Sequence, residues 1–128
     1  MLTHPIFLAG FSLLTLIGFI HTSATTLLWY WQYPWMDIAV HFLAGLIVGF
    51  FALWLIMRVF GTEHLVWRVG SLYFTLAAVV VVGVVWEVFE YMVGIPRGTN
   101  YQFDTSLDML MNVLGSIIAV FISRKFFI

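Results

Sequence analysis

A chain of 128 residues with 63% hydrophobic and only 9% charged residues, a mean hydropathy of +1.08 and a net charge of −1 has more apolar surface than one small domain can hide, because a chain this long buries only about two-thirds of its unfolded surface. Lipid must be the solvent for most of that surface, which excludes disorder, a cytosolic enzyme and, with five basic against six acidic residues, a nucleic-acid-binding module. With no cysteine, disulfides, thiolate catalysis and zinc–thiolate sites are excluded as well.

A membrane-spanning helix needs about 20 mostly apolar residues, and the charged residues divide the chain into four such stretches. The first runs from about Ile6 to Trp29 without a charge. It is too long for the apolar core of a cleavable leader and lacks preceding basic residues, so it is expected to persist in the mature protein. Trp29 to Trp35 then brings five aromatic rings in seven residues, the composition of a headgroup-level belt, and Pro34 interrupts the chain there. The second helix is expected at about 38–57, between Asp37 and Arg58, followed by a connection containing Gly61, Glu63 and His64. The third is expected at about 69–92. Gly94 to Phe103, with Pro96 and Gly98, is the most turn-rich segment, and the fourth helix follows at about 105–126. The expected fold is all-α: one integral-membrane four-helix bundle over residues 1–128.

Four spans put both termini and the middle connection on one side. That side receives Arg58, Arg68, Arg124 and Lys125, whereas the other receives only Arg97. The positive-inside rule makes the first side cytoplasmic, giving a multi-pass protein of the inner or plasma membrane with both termini inside. The acids are sorted the opposite way: Asp37, Glu87, Glu90, Asp104 and Asp108 fall at the outer end, and Glu63 alone at the inner one.

This topology gathers the ionisable groups into a candidate site. Asp37 and His41 are one turn apart at the start of the second helix, Glu87 and Glu90 lie near the end of the third, and Asp104, Asp108 and Asn112 follow at successive turns of the fourth. Each set repeats at i+3 or i+4 and so shares one helix face. Ionisable groups inside a bilayer are costly and by default functional candidates, and carboxylates crowded together disfavour joint ionisation unless something positive intervenes. A divalent cation such as Mg, Mn or Zn suits this ligand set. Asp37, His41, Glu87, Glu90 and Asp108 are the candidate catalytic or acid/base residues, with His41, Glu87, Glu90 and Asp108 as the expected metal ligands. Arg97, Asn112 and Asp104 are the candidate substrate contacts.

Each residue has a plainer reading. Asp104 with Thr105 could serve as a helix N-cap, Asp37 could simply favour a helix start, Glu87 could lie in the headgroup zone, and a lone interior His41 or His21 is more often hydrogen-bonded than ligating. Asp108 resists this treatment because it lies inside its helix, with Asn112 on the same face. One histidine per helix amid carboxylates argues against a haem held by His21 and His41. Gly45 and Gly49 form a small-xxx-small pair that permits close helix approach within the molecule. His4 and His64 fall on the inner side and receive no role.

Asp37-Ile38-Ala39-Val40-His41-Phe42 resembles the D-x-x-x-H-F motif of VanZ-like membrane proteins. Glu87-Val88-Phe89-Glu90 is similar to their E-x-x-Q/E element, and Asp108 to Gly115 to their D-x-x-x-N-x-x-G. Glu90, where Gln is usual in the VanZ pattern, and the run Asp104-Thr105-Ser106-Leu107-Asp108-Met109 tilt the likeness toward the related YjdF-like group. The resemblance covers about residues 37–124 and implies a small multi-spanning inner-membrane protein of a family whose founding member is linked to glycopeptide antibiotic resistance.

The leading expectation is an outward-facing pocket that binds a divalent cation and, through it, a phosphate-bearing lipid or lipid-linked cell-envelope precursor, with metal-dependent chemistry on the lipid-linked phosphate as the reaction class. Arg97 would hold a phosphate oxygen. The alternatives are a proton or cation transport component, in which the carboxylates form a relay and the route needs an oligomer or a large rearrangement, and a non-catalytic scaffold that recruits envelope partners.

Overall fold

The structure is a computed structural model that describes residues 3–61, 67–94 and 101–127. The described residues form five helices: α1 (Pro5–Thr26), α2 (Trp29–Gln32), α3 (Trp35–Phe60), α4 (Val69–Val93) and α5 (Tyr101–Phe126). All but α2 are long and apolar enough to cross a membrane. Glu63, His64 and the turn-rich stretch 95–100 lie outside the described residues.

The helix ends follow from local chemistry. Pro5 occupies the first turn of α1, where its missing N–H costs nothing, and the His4 ring accepts a hydrogen bond from the Ile6 amide at 3.3 Å. α1 stops at Thr26, short of the expected Trp29. The chain breaks at Leu28, whose φ of 58° and ψ of 30° are left-handed, a conformation that costs a non-glycine residue roughly 1–2 kcal/mol. After the single turn of α2, Pro34 precedes α3, which therefore begins three residues earlier than the charge pattern implies. Gly61 and Gly94, with φ of 68° and 69°, end α3 and α4, as left-handed C-caps commonly do. α5 starts at Tyr101, so Asp104 lies in its first turn and is not the N-cap.

α3 is the hub. It packs against α5 over its length and also contacts α1 and α4, while α4 meets α5. Since lipid tails are as apolar as leucine, helices in a bilayer associate through close packing, and glycine supplies it here. A Cβ on Gly45 would land on the backbone of Asn112, and one on Gly115 would land on the Phe42 carbonyl. A Cβ on Gly49 would stand 2.6 Å from that of Ala119. α3 and α5, running parallel, are thus nearly in backbone contact at the depth of His41 and Asp108, and the Gly45/Gly49 pair is intramolecular.

α4 presents one narrow stripe to the bundle. Ser71, Thr75, Val79, Gly83 and Glu87 are its buried residues, each four positions after the last, so small side chains admit close contact until the stripe ends in a carboxylate. Towards the other end of the bundle, Phe50, Leu53, Ile56 and Met57 of α3 pack with Ala119 and Val120 of α5 and Ile6 of α1. Arg124 reaches across to α4 there, donating to the Arg68 carbonyl at 3.2 Å and to the Ser71 hydroxyl at 3.4 Å.

Candidate functional site

Three helix ends meet at the other pole. His41 lies six residues into α3, Asp108 seven into α5 and Glu87 six before the end of α4, which at about 1.5 Å per residue puts all three roughly 9–11 Å from their helix ends. α4, with 25 residues, is about 38 Å long and exceeds a hydrocarbon core of about 30 Å by about 8 Å. For a centred helix Glu87 then falls about 5 Å inside the hydrocarbon boundary, deeper than a headgroup-level charge.

His41 and Asp108 are both only 5% exposed. The glycine contact between α3 and α5 brings His41 Nε2 within 3.6 Å of Asp108 Oδ2, and the α-helical i+4 spacing brings it within 3.7 Å of Asp37 Oδ1. Both separations exceed a hydrogen bond. The three side chains therefore converge without pairing off, and one ligand atom from each lies within 4.8 Å of the others. An ion about 2.0–2.2 Å from each nitrogen and oxygen ligand would set those atoms roughly 3–4 Å apart, so rotamer adjustments of under about 1 Å suffice. One imidazole and two carboxylates make the three-ligand set of a site that keeps a position open for water or substrate. The mixed donor set favours Zn or Mn over Mg, which prefers an oxygen-only shell.

The other candidates surround this group. Glu87 is buried, and its Oε2 accepts the Thr105 hydroxyl at 2.8 Å; Thr105 thus ties α5 to α4 and does not cap its own helix. Glu90, a turn further out and half-buried, is hydrogen-bonded by the Trp86 side chain. The group of atoms close enough to share an ion contains Asp37 in place of Glu87 and Glu90, which lie beside it. Asp104 is half-buried in the first turn of α5, and Asn112 is buried one turn beyond Asp108. Arg97 lies outside the described residues.

His21 does not join that group. It is exposed on α1, its Nδ1 shares a 2.7 Å hydrogen bond with the Tyr30 hydroxyl, and its ring meets the edge of Trp86 at 6.3 Å. Burial, and then the negative charges of Asp37 and Glu90, push the Tyr30 phenol from 10.0 up to about 12, so it keeps its proton in any physiological medium. Tyr30 and Trp86 had no motif to mark them, and Thr105 stood in the Asp104–Met109 run without a role of its own. The signal for Thr105 was its place one turn before Asp108 in sequence and on the α4-facing side of α5; for Tyr30 it was only that a phenol among aromatic rings carries a polar tip.

Comparison with family models matches residues 5–127, nearly the whole described chain, to the family described as Predicted membrane protein (DUF2238). The chain belongs to this family. Membership agrees with the four candidate spans and makes this an integral membrane protein in contact with lipid. It is a coarser statement than the VanZ-like and YjdF-like resemblance of the motifs. Neither the curated proteins nor the solved structures contain a match.

Proposed function

We propose that this DUF2238 membrane protein binds a divalent cation, Zn or Mn, through Asp37, His41 and Asp108, and through that cation holds the phosphate of a lipid or lipid-linked envelope precursor at the outer face of the inner membrane. The observation that carries the reading is the convergence of three ionisable side chains from two helices, two of them buried, at bilayer depth. Uncompensated, such a group is expensive; a divalent cation offsets the two carboxylates, and a coordination position left open by only three protein ligands can take a phosphate oxygen. Glu87, Glu90 and Asp104 keep the surroundings negative and strengthen cation binding, while Asn112 orients Asp108 from one turn below. Arg97 is assigned to a phosphate oxygen, and the basic residues at the opposite pole support the outward orientation. The VanZ-like resemblance supports a role in envelope lipid chemistry, with transformation of the lipid-linked phosphate as the reaction class.

The test is elemental analysis of the purified protein together with its thermal unfolding. One Zn or Mn per chain is expected. At a free metal concentration 100 times its dissociation constant, bound metal adds about 2.7 kcal/mol of stability. Asp108→Asn and His41→Gln should remove both metal and stabilisation. Metal-free protein whose melting temperature ignores added Zn and Mn, in the native chain as in Asp108→Asn, would refute the reading.

A further inference from the structure

α1 packs on the rest of the bundle from Ile6 to Leu13 and again at Ala24, and is held less closely between them. Its buried residues are Ile6, Gly10 and Ala24 only. At Gly10 the packing is close, a Cβ there standing 3.3 Å from that of Phe50, whereas a Cβ on Gly18 would meet nothing within 4 Å. Between the two contacts a cleft of about 250 Å³ runs along the interior, walled by Ile17 and Gly18 of α1 and by Val79 and Val82 of α4, with Val48 of α3 among the residues behind them. α1 and α4 make no extensive contact across it. The cleft therefore opens sideways, at a depth where the surrounding medium is lipid.

Its two ends differ. Towards the inner pole it is aliphatic; towards the site it is lined by His21, Trp86, His41 and Asn112, and His41 is a member of the convergent triad. The His21–Trp86 contact spans α1 and α4 at that end. Sites for whole drug-sized ligands run to about 300–1,000 Å³, so a volume of about 250 Å³ accommodates the headgroup-proximal part of one hydrocarbon chain, the rest extending through the open side, and not a complete two-chain lipid. An apolar slot open to the bilayer and ending at a polar, cation-competent group matches a molecule with a chain at one end and a phosphate at the other. Glycerophospholipid is the abundant molecule of that description in the surrounding bilayer.

We infer that the cleft between α1 and α4 is the lateral entry site for a glycerophospholipid, one acyl chain lying against Gly18, Val79 and Val82 while its phosphate reaches the His41 end. The inference rests on the proposed cation site for the headgroup and on the cleft alone for the chain.

The experiment places the full chain in nanodiscs containing a glycerophospholipid with a photoreactive diazirine in one acyl chain, and maps the adducts by mass spectrometry. Val81 and Val85, on the outward side of α4 and more than 60% exposed, report ordinary bilayer contact. Labelling at Ile17, Gly18 and Val82 should exceed theirs several-fold. Gly18→Phe, which has room for its side chain, and Val82→Trp should each abolish that excess while metal content, melting temperature and labelling at Val81 remain as in the native chain. Uniform labelling, an excess that survives both fillings, or a polyisoprenyl phosphate probe that labels the cleft where the phospholipid does not would each overturn the assignment. Asp108→Asn separates the two proposals: if it loses metal and the cleft excess falls with it, both stand, whereas a native chain without metal but with the full excess removes the cation reading and keeps the acyl chain in the cleft.

Discussion

Replacing glycine by alanine should have opposite signs at two positions of this protein. On an isolated helix the change is favourable by about 1 kcal/mol, because alanine restricts the unfolded chain more and holds helix better. Gly18→Ala should realise that gain, since the added Cβ meets nothing within 4 Å. At Gly45 and Gly115 the same Cβ lands on backbone atoms of the opposing helix, which no side-chain rotation can relieve. Carbon–oxygen contact requires α3 and α5 to separate by at least about 1 Å, given favourable non-bonded distances of about 3.5 Å. Overpacking of this kind typically costs about 1–3 kcal/mol, and in a bilayer no hydrophobic term draws the helices together again. The same displacement would carry His41 Nε2 from 3.6 Å to beyond 4 Å from Asp108 Oδ2, loosening the proposed metal site. Thermal unfolding in one detergent, read beside metal content, measures both consequences. Gly45→Ala and Gly115→Ala should melt below the native chain and Gly18→Ala at or above it. Equal melting temperatures for the three variants, or undiminished metal affinity in a destabilised Gly45→Ala, would refute the argument that the glycine seam sets the site.

Thr105→Val removes the hydroxyl that donates to Glu87 Oε2 and should cost about 0.6 kcal/mol, the average for side-chain hydrogen bonds between helices in membranes, and at most about 1.7 kcal/mol. Thr105→Ser should restore most of it; a valine variant as stable as the native protein would show that the bond contributes nothing. Tyr30 supplies a pH signature. Its phenol is raised from 10.0 to about 12, so the neutral form is favoured by the fold; that stabilisation is complete below pH 10 and is lost as pH rises through 12. The phenolate absorbance difference between the native chain and Tyr30→Phe should therefore have its midpoint near 12. Asp37→Asn, by deleting one of the charges that oppose ionisation, should move it lower, and a midpoint near 10 in the unmodified chain would contradict the environment assigned to this half-buried phenol.

The helical architecture was legible because charge is so scarce: between Asp37 and Arg58, or Val69 and Trp86, no Asp, Glu, Lys or Arg occurs. What sequence misplaced were the ends. Leu28 breaks α1 in a left-handed conformation that no leucine advertises, and α3 and α5 begin three and four residues earlier than expected because Trp35 and Tyr101 can be helical without being apolar-periodic. The candidate site was legible as a neighbourhood, since helical spacing and topology put His41, Glu87 and Asp108 at one depth. The division of labour within it was not. Asp37 rather than Glu87 or Glu90 completes the convergent group, because that outcome depends on the rotation of α3 against α5, fixed by glycine contacts whose closeness spacing alone does not measure. The spacing of Ser71, Thr75, Val79, Gly83 and Glu87 at successive fours was readable in retrospect as a small-residue edge delivering a carboxylate inward.

The way α1 is attached has a further consequence for how this protein tolerates change. All members of the convergent triad belong to α3 and α5, and Glu87 to α4, so the proposed cation site is housed in three helices and α1 contributes a wall of the cleft. Substitutions at Ile17 or Gly18, which line the cleft from α1, alter its bore without touching a proposed ligand. If the cleft takes the acyl chain as inferred, selectivity for chain length or branching is separable from affinity for the proposed cation.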